Sequence, residues 1–107
     1  MVWQKAQGLA VEVEKRAEVL RYDAADPLRR STASVADNLA EGSERPTDAD
    51  FARFVGIAEG SCAEAQCQLR RAVRCGHAEL RPLIIEAQQV GWMLTALRRR
   101  LTAGPAP

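Results

Sequence analysis

Few side chains in this 107-residue chain could perform chemistry. The nucleophilic or metal-binding ones are Cys62, Cys67, Cys75 and a single histidine, His77. Three thiols and one imidazole match the ligand number zinc prefers, yet no two of them have the close paired spacing of common structural zinc sites. The simpler reading puts Cys62 in a core and the other two at the border of a helix end, with no metal and no cofactor. A second constellation lies in "SVADNLAEGSER", residues 34–45, where Ser34, Asn38, Glu41 and Arg45 recur at helical spacings. Glu41 could serve as a general base only with a partner. It has no histidine nearby and no second carboxylate at matched spacing on its own helix. His77 falls at the other end of the chain's expected architecture. The stripe therefore reads as architectural, and no catalytic residue or enzyme activity is assigned.

The elements that would carry these residues are marked by punctuation. Turn formers cluster at "YDAADP", "GSERPTD" and "CGHAELRP", leaving four helical segments. The first is expected from Val2 to Tyr22, with Val2, Ala6, Leu9, Val13 and Leu20 on one seam. The second should start at Asp26 as a cap with Pro27 in the first turn, and stop at Gly42. Thr47, three residues before Asp50, forms an acidic version of the capping box for the third. Its seam repeats through Phe51, Val55, Ala58, Cys62, Ala65, Leu69 and Ala72 before Gly76. The fourth repeats Leu83, Ala87, Val90, Leu94, Leu97 and Leu101. Short connections make successive helices antiparallel, so the expected fold is all-α, an up-down-up-down four-helix bundle. It occupies residues 1–102 as one domain, and 103–107 form a short frayed tail.

No stretch approaches the run of about 20 apolar residues that spans a membrane, and the start lacks the uninterrupted apolar run of a signal peptide. Three thiols with no secretion signal point to a reducing compartment, so a soluble, cytoplasmic chain with free cysteines is expected. With 15 basic and 14 acidic residues, a strong general nucleic-acid binder is disfavoured.

If the turn between the second and third helices is centred near residue 45, facing residues have numbers summing to about 90. Glu64 then meets Arg29 or Arg30, and Arg53 meets Asp37 and Asn38. Asn38 and Glu41 would serve the start of the third helix or a neighbouring subunit. Gly56 and Gly60 cost about 1 kcal/mol each in helix propensity, which close approach by another helix would explain.

Two surfaces remain. Ile85 and Trp92, seven apart on the fourth helix with Met93 beside them, face away from the core and suit self-association. The second surface is the end shared by residues 15–30 and 68–82. Its nine cations, including Arg21, Arg29, Arg30, Arg70, Arg71, Arg74 and Arg81, oppose four carboxylates, a local charge of +5 in a chain of net +1. Such a basic rim suits RNA or another acidic partner, or it is a solvated helix end complementing the dipole.

"VWQKA", "RRSTASVADNLAEGSER" and "FARFVGIAEGSCAEAQCQL" resemble the family of 23S rRNA intervening-sequence proteins, also called four-helix bundle proteins. The most specific residues are Arg29, Arg30, Ser34, Asn38, Ala40, Glu41, Gly42 and Arg45, then Phe51, Phe54, Ala58, Gly60, Ser61 and Glu64. Pro27 and Ala36 depart from the family pattern without threatening a helix. The resemblance implies a homopentamer of bundles without enzymatic activity. A related branch, the accessory proteins of diversity-generating retroelements, is strongly basic and binds RNA; the near-neutral charge here argues against that branch. The leading expectation is a non-enzymatic, self-assembling bundle, with an RNA-binding accessory protein as the alternative.

Overall fold

The computed structural model describes residues 1–16 and 22–103. Their regular structure is helical throughout: α1 (Val2–Arg16), α2 (Tyr22–Ser43), α3 (Asp48–Arg74) and α4 (Arg81–Thr102), with one 3-10 turn at Ala78–Leu80. Each helix packs on its neighbours in sequence and α1 closes against α4, so the bundle is square in section and measures 51 × 22 × 18 Å. Leu20, Arg21 and residues 104–107 of the expected seam, rim and tail lie outside the described residues.

Local chemistry explains the ends. The Thr47 hydroxyl accepts from the Asp50 amide at 3.2 Å, capping the α3 N-terminus as its sequence predicts. At the other end Gly76 takes φ +112°, a left-handed conformation open to glycine, and the amides of Gly76 and His77 close on the carbonyls of Val73 and Ala72. The start of α2 differs from expectation. The helix already includes Tyr22, and Asp26 and Pro27 lie inside it rather than capping it. Proline has a helix-compatible φ and lacks only the amide that would bond four residues back, so near an N-terminus its presence leaves the starting residue undetermined.

Gly42 also has a different role from the one its type suggests. It lies within α2 with no left-handed φ, and a Cβ there would sit 2.7 Å from Phe54 Cβ and 2.8 Å from Phe51 Cδ1. The glycine permits a close approach rather than stopping the helix.

The seams of α1, α3 and α4 face inward at the spacings their sequences predict, with Phe51, Leu97 and Leu101 at the margin. The core divides into two clusters along the bundle. One gathers Leu9, Val13, Leu28, Leu69, Leu80 and Leu83; the other gathers Ala6, Val35, Leu39, Val55, Val90 and Leu94. Between them along α2 stand two buried hydroxyls, Ser31 and Thr32, which donate to carbonyls one turn back and so are not stranded.

Candidate functional site

The polar stripe of α2 builds one wall of a groove of about 330 Å³ between α2 and α3. Because α3 presents Ser61, Glu64 and Gln68 at matching helical spacing, hydroxyls and amides meet across the seam. The Ser34 and Ser61 hydroxyls lie 2.7 Å apart, and the Ser31 hydroxyl oxygen lies 2.8 Å from the Gln68 side-chain amide. Asn38 Nδ2 donates to the Ser34 carbonyl at 2.9 Å and to its hydroxyl at 3.0 Å. Asn38 therefore orients Ser34 and does not serve the α3 start, which Thr47 caps. Arg30 and Glu64 line the same groove but form no ion pair with one another among the described residues.

The register is shifted from the expected one. Facing numbers sum to 95 for Ser34 with Ser61 and 99 for Ser31 with Gln68, not 90. Phe51 and Phe54 settle over Gly42, so the first turn of α3 overhangs the end of α2. The smaller of these shifts, five residues, is about 7.5 Å along a helix. The shift moves Arg53 off the level of Asp37 but leaves Glu64 level with Arg30 in the same groove; the other change in pairing comes from the face of α2 that Arg29 occupies. Arg29 turns to α1 and holds Glu14 at 2.8 Å and Asp26 at 3.1 Å rather than meeting Glu64, and the Glu14 carboxylate raises its pKa. Glu41 pairs with Arg45 one turn on. Arg53 pairs with Asp50 at 3.2 Å instead of approaching Asp37. Arg45 and Arg53 both stack on the Phe54 ring, at 4.8 and 4.5 Å from its centroid.

The α3–α4 seam holds a polar clasp at Glu59 that sequence reasoning overlooked, beside Cys62 in the core place expected for it. Glu59 accepts from the Thr95 hydroxyl at 2.9 Å and from Arg98 Nε. The buried Cys62 thiol donates to the Ala87 carbonyl at 3.2 Å, and burial pushes its pKa up, which makes it a poor nucleophile. Gly91 brings the helices close: a Cβ there would lie 3.2 Å from Gln66 Nε2. The only advance signal was Glu59 beside the α3 core position Ala58, a weak one because charges flank every seam.

On the outside of α4, Ile85 is 58% exposed and Trp92 71% exposed. Trp92 borders a groove toward α3, whereas Met93 is half-buried in a groove toward α1 beside Met1 and Val2. Met93 is thus on another flank of the helix from the Trp92 groove. Among the described residues no neighbouring atom lies within 4 Å of a Cβ added at Gly56 or Gly60, so no described helix exploits them. At the basic end, Lys15 and Arg16 bind Glu12, whose pKa Arg16 lowers most. Arg70, Arg71, Arg74 and Arg81 are exposed and have no carboxylate within 4 Å among the described residues.

The sequence profile described as 23S rRNA-intervening sequence protein matches residues 1–96. The chain belongs to the 23S rRNA-intervening sequence protein family. One solved structure, a protein of unknown function from the S23 ribosomal protein family of Bacteroides thetaiotaomicron, superimposes with a TM-score of 0.87. The match covers 92% of this chain and 99% of that one at 18% identity, which establishes the shared fold. No curated protein matches the sequence.

In this intervening-sequence family member the resemblance residues Ser34, Asn38, Ser61 and Glu64 converge on the α2–α3 groove, while Gly42, Phe51, Phe54 and Arg45 form the hairpin end. Neither the family description nor the neighbouring structure points to catalysis. No three His, Cys, Asp or Glu side chains among the described residues gather closely enough to hold a metal ion. Cys67 and Cys75 are exposed and free. No described helix is long and apolar enough to cross a membrane.

Proposed function

We propose that this chain is a non-enzymatic, self-assembling helical scaffold of the cytoplasm, and that its assembly is the homopentamer that the family resemblance implies. The observation that carries this reading is the pair Ile85 and Trp92, 58% and 71% exposed on one outer face of α4. Burying a large apolar side chain is worth about 1.5–3 kcal/mol, so two stacked on one face favour a contact that covers them. Gly56 and Gly60 add support, since no described residue of the chain packs into the space of their missing side chains. Trp92→Asp places a charge in that contact, and burying it unpaired is costly. Light scattering should then report smaller species than the parent with helicity retained. A parent that is monomeric at micromolar concentration ends the reading.

A second reading, an RNA-binding accessory role, is supported by the cluster Arg70, Arg71, Arg74 and Arg81 at one end of the bundle, which has no carboxylate within 4 Å among the described residues. Each phosphate neutralised releases condensed counterions, so binding through this rim falls steeply with salt. Replacing Arg70, Arg71 and Arg74 by Gln should flatten that dependence; absence of binding to structured RNA even at low salt eliminates the role.

A further inference from the structure

The two surfaces that this chain leaves without an internal partner, the outer face of α4 and the α2–α3 groove, lie on different sides of the bundle. Among the described residues no Cα of α2 comes within 8 Å of one in α4, since the two helices occupy diagonal corners of the square and meet only through the core. One molecule therefore cannot bring its own two surfaces together. Two molecules can.

Their heights along the bundle agree. On α3, Cys62 bonds the Ala87 carbonyl, Gln66 lies against Gly91 and Glu59 bonds Thr95, which sets Ile85–Trp92 alongside roughly residues 61–68 of α3. Ser61, Glu64 and Gln68 are the α3 wall of the groove. Ile85 and Trp92 are separated by about 10 Å of helix, and Ser61 and Gln68 by the same seven residues. A rotation about an axis parallel to the bundle carries one copy's α4 face onto another's groove with no axial slip.

The chemistry is complementary as well. The Trp92 indole N–H and the Glu64 carboxylate each lack a hydrogen-bond partner among the described residues, and a carboxylate accepts what an indole donates. Arg30, which also lines the groove and has no ion pair among the described residues, is the group that stacks on an indole face. The two serine hydroxyls share one hydrogen between them while Asn38 donates to Ser34, so one hydroxyl hydrogen remains to be given to an incoming acceptor.

We infer that the α2–α3 groove is the receptor for the Ile85–Trp92 face of a second copy of this chain, a head-to-tail contact in which the two partners use different surfaces. The inference rests on the self-assembly proposed above and names the surface that Trp92 meets. Contacts of this kind close into rings, whereas a face packed on itself stops at two copies.

Sedimentation velocity on Trp92→Asp, on Glu64→Arg, on the double variant Ser61→Arg/Glu64→Arg and on equimolar mixtures tests it, with far-UV circular dichroism confirming helicity. Trp92→Asp retains a sound groove, and the groove variants retain a sound α4 face. Each alone should be monomeric, and the mixture should form a one-to-one dimer and no larger species. If Trp92→Asp assembles like the parent, self-assembly through α4 is itself wrong. If Trp92→Asp is monomeric while Glu64→Arg assembles like the parent, α4 packs on α4 or on another face, and the groove assignment alone is overturned. A mixture that stays monomeric also overturns it. Should the double variant lose helicity, the Glu64→Arg arm decides.

Discussion

The α2–α3 and α3–α4 seams solve the same problem, two long antiparallel helices held in register, with different chemistry. Near its hairpin end the α2–α3 seam closes by removing a side chain: Gly42 lets Phe51 and Phe54 sit where a Cβ would intrude. Further along it uses neutral pairs, Ser34 with Ser61 and Ser31 with Gln68, and leaves Arg30 and Glu64 unpaired with each other. The α3–α4 seam uses a charged clasp of Glu59 with Arg98 and Thr95 beside a buried thiol. Neutral hydroxyl pairs need little desolvation and leave a groove open to another molecule. A charged clasp satisfies its groups internally and leaves less for a partner to use. Grooves of similar size, about 330 and 300 Å³, border the two seams, so the difference between them lies in the polar groups left over and not in open space.

Steric intrusion at the hairpin end should give the largest effect. Gly42→Ala must displace Phe51 or Phe54, and overpacking of this kind costs about 1–3 kcal/mol, partly offset by the helix propensity of Ala. Thermal melts should show a clear loss. A variant as stable as the parent would mean that the close approach is not real, and the register derived from it would fall too.

Glu59→Ala breaks the clasp of the other seam. Glu59 is 22% exposed and Arg98 40%, so solvent discounts the pair, and a loss of about 1 kcal/mol is expected by denaturant titration. A double-mutant cycle with Arg98→Ala should show coupling. Additive effects would show that the clasp contributes nothing to register.

The smallest effect should have the opposite sign. Gly60→Ala adds a Cβ into open space on α3 and gains up to about 1 kcal/mol of helix propensity. The dissociated subunit should become more stable while assembly weakens if a second copy approaches that surface. Stability that rises with assembly unchanged would leave Gly60 with no intermolecular role.

How much of this was legible beforehand depended on whether a feature is local. The four-helix architecture, the Thr47 cap and the Gly76 stop follow from period and turn chemistry, because a helix repeats every 3.6 residues and its ends need specific hydrogen-bond partners within a few residues. So do the seams from Ala6 to Val13, from Val55 to Ala72 and from Leu83 to Leu94. The candidate residues of the polar stripe were identifiable, but their partners were not. Which face of α2 a residue occupies changes nothing in the helix itself, yet it decides that Arg29 meets Glu14 of α1 and not Glu64 of α3.

Glycine shows the same divide within one residue type. Helical period and turn chemistry are enough to put Gly42, Gly56, Gly60 and Gly91 in or beside helices, where each carries a propensity cost. The packing of the helices is what puts Phe51 and Phe54 against Gly42 and Gln66 against Gly91, while Gly56 and Gly60 face open space. The physical reason is that propensity is a property of the chain's own backbone. The space beyond a missing Cβ belongs to whatever packs against it, and that is set by contacts between residues far apart in sequence.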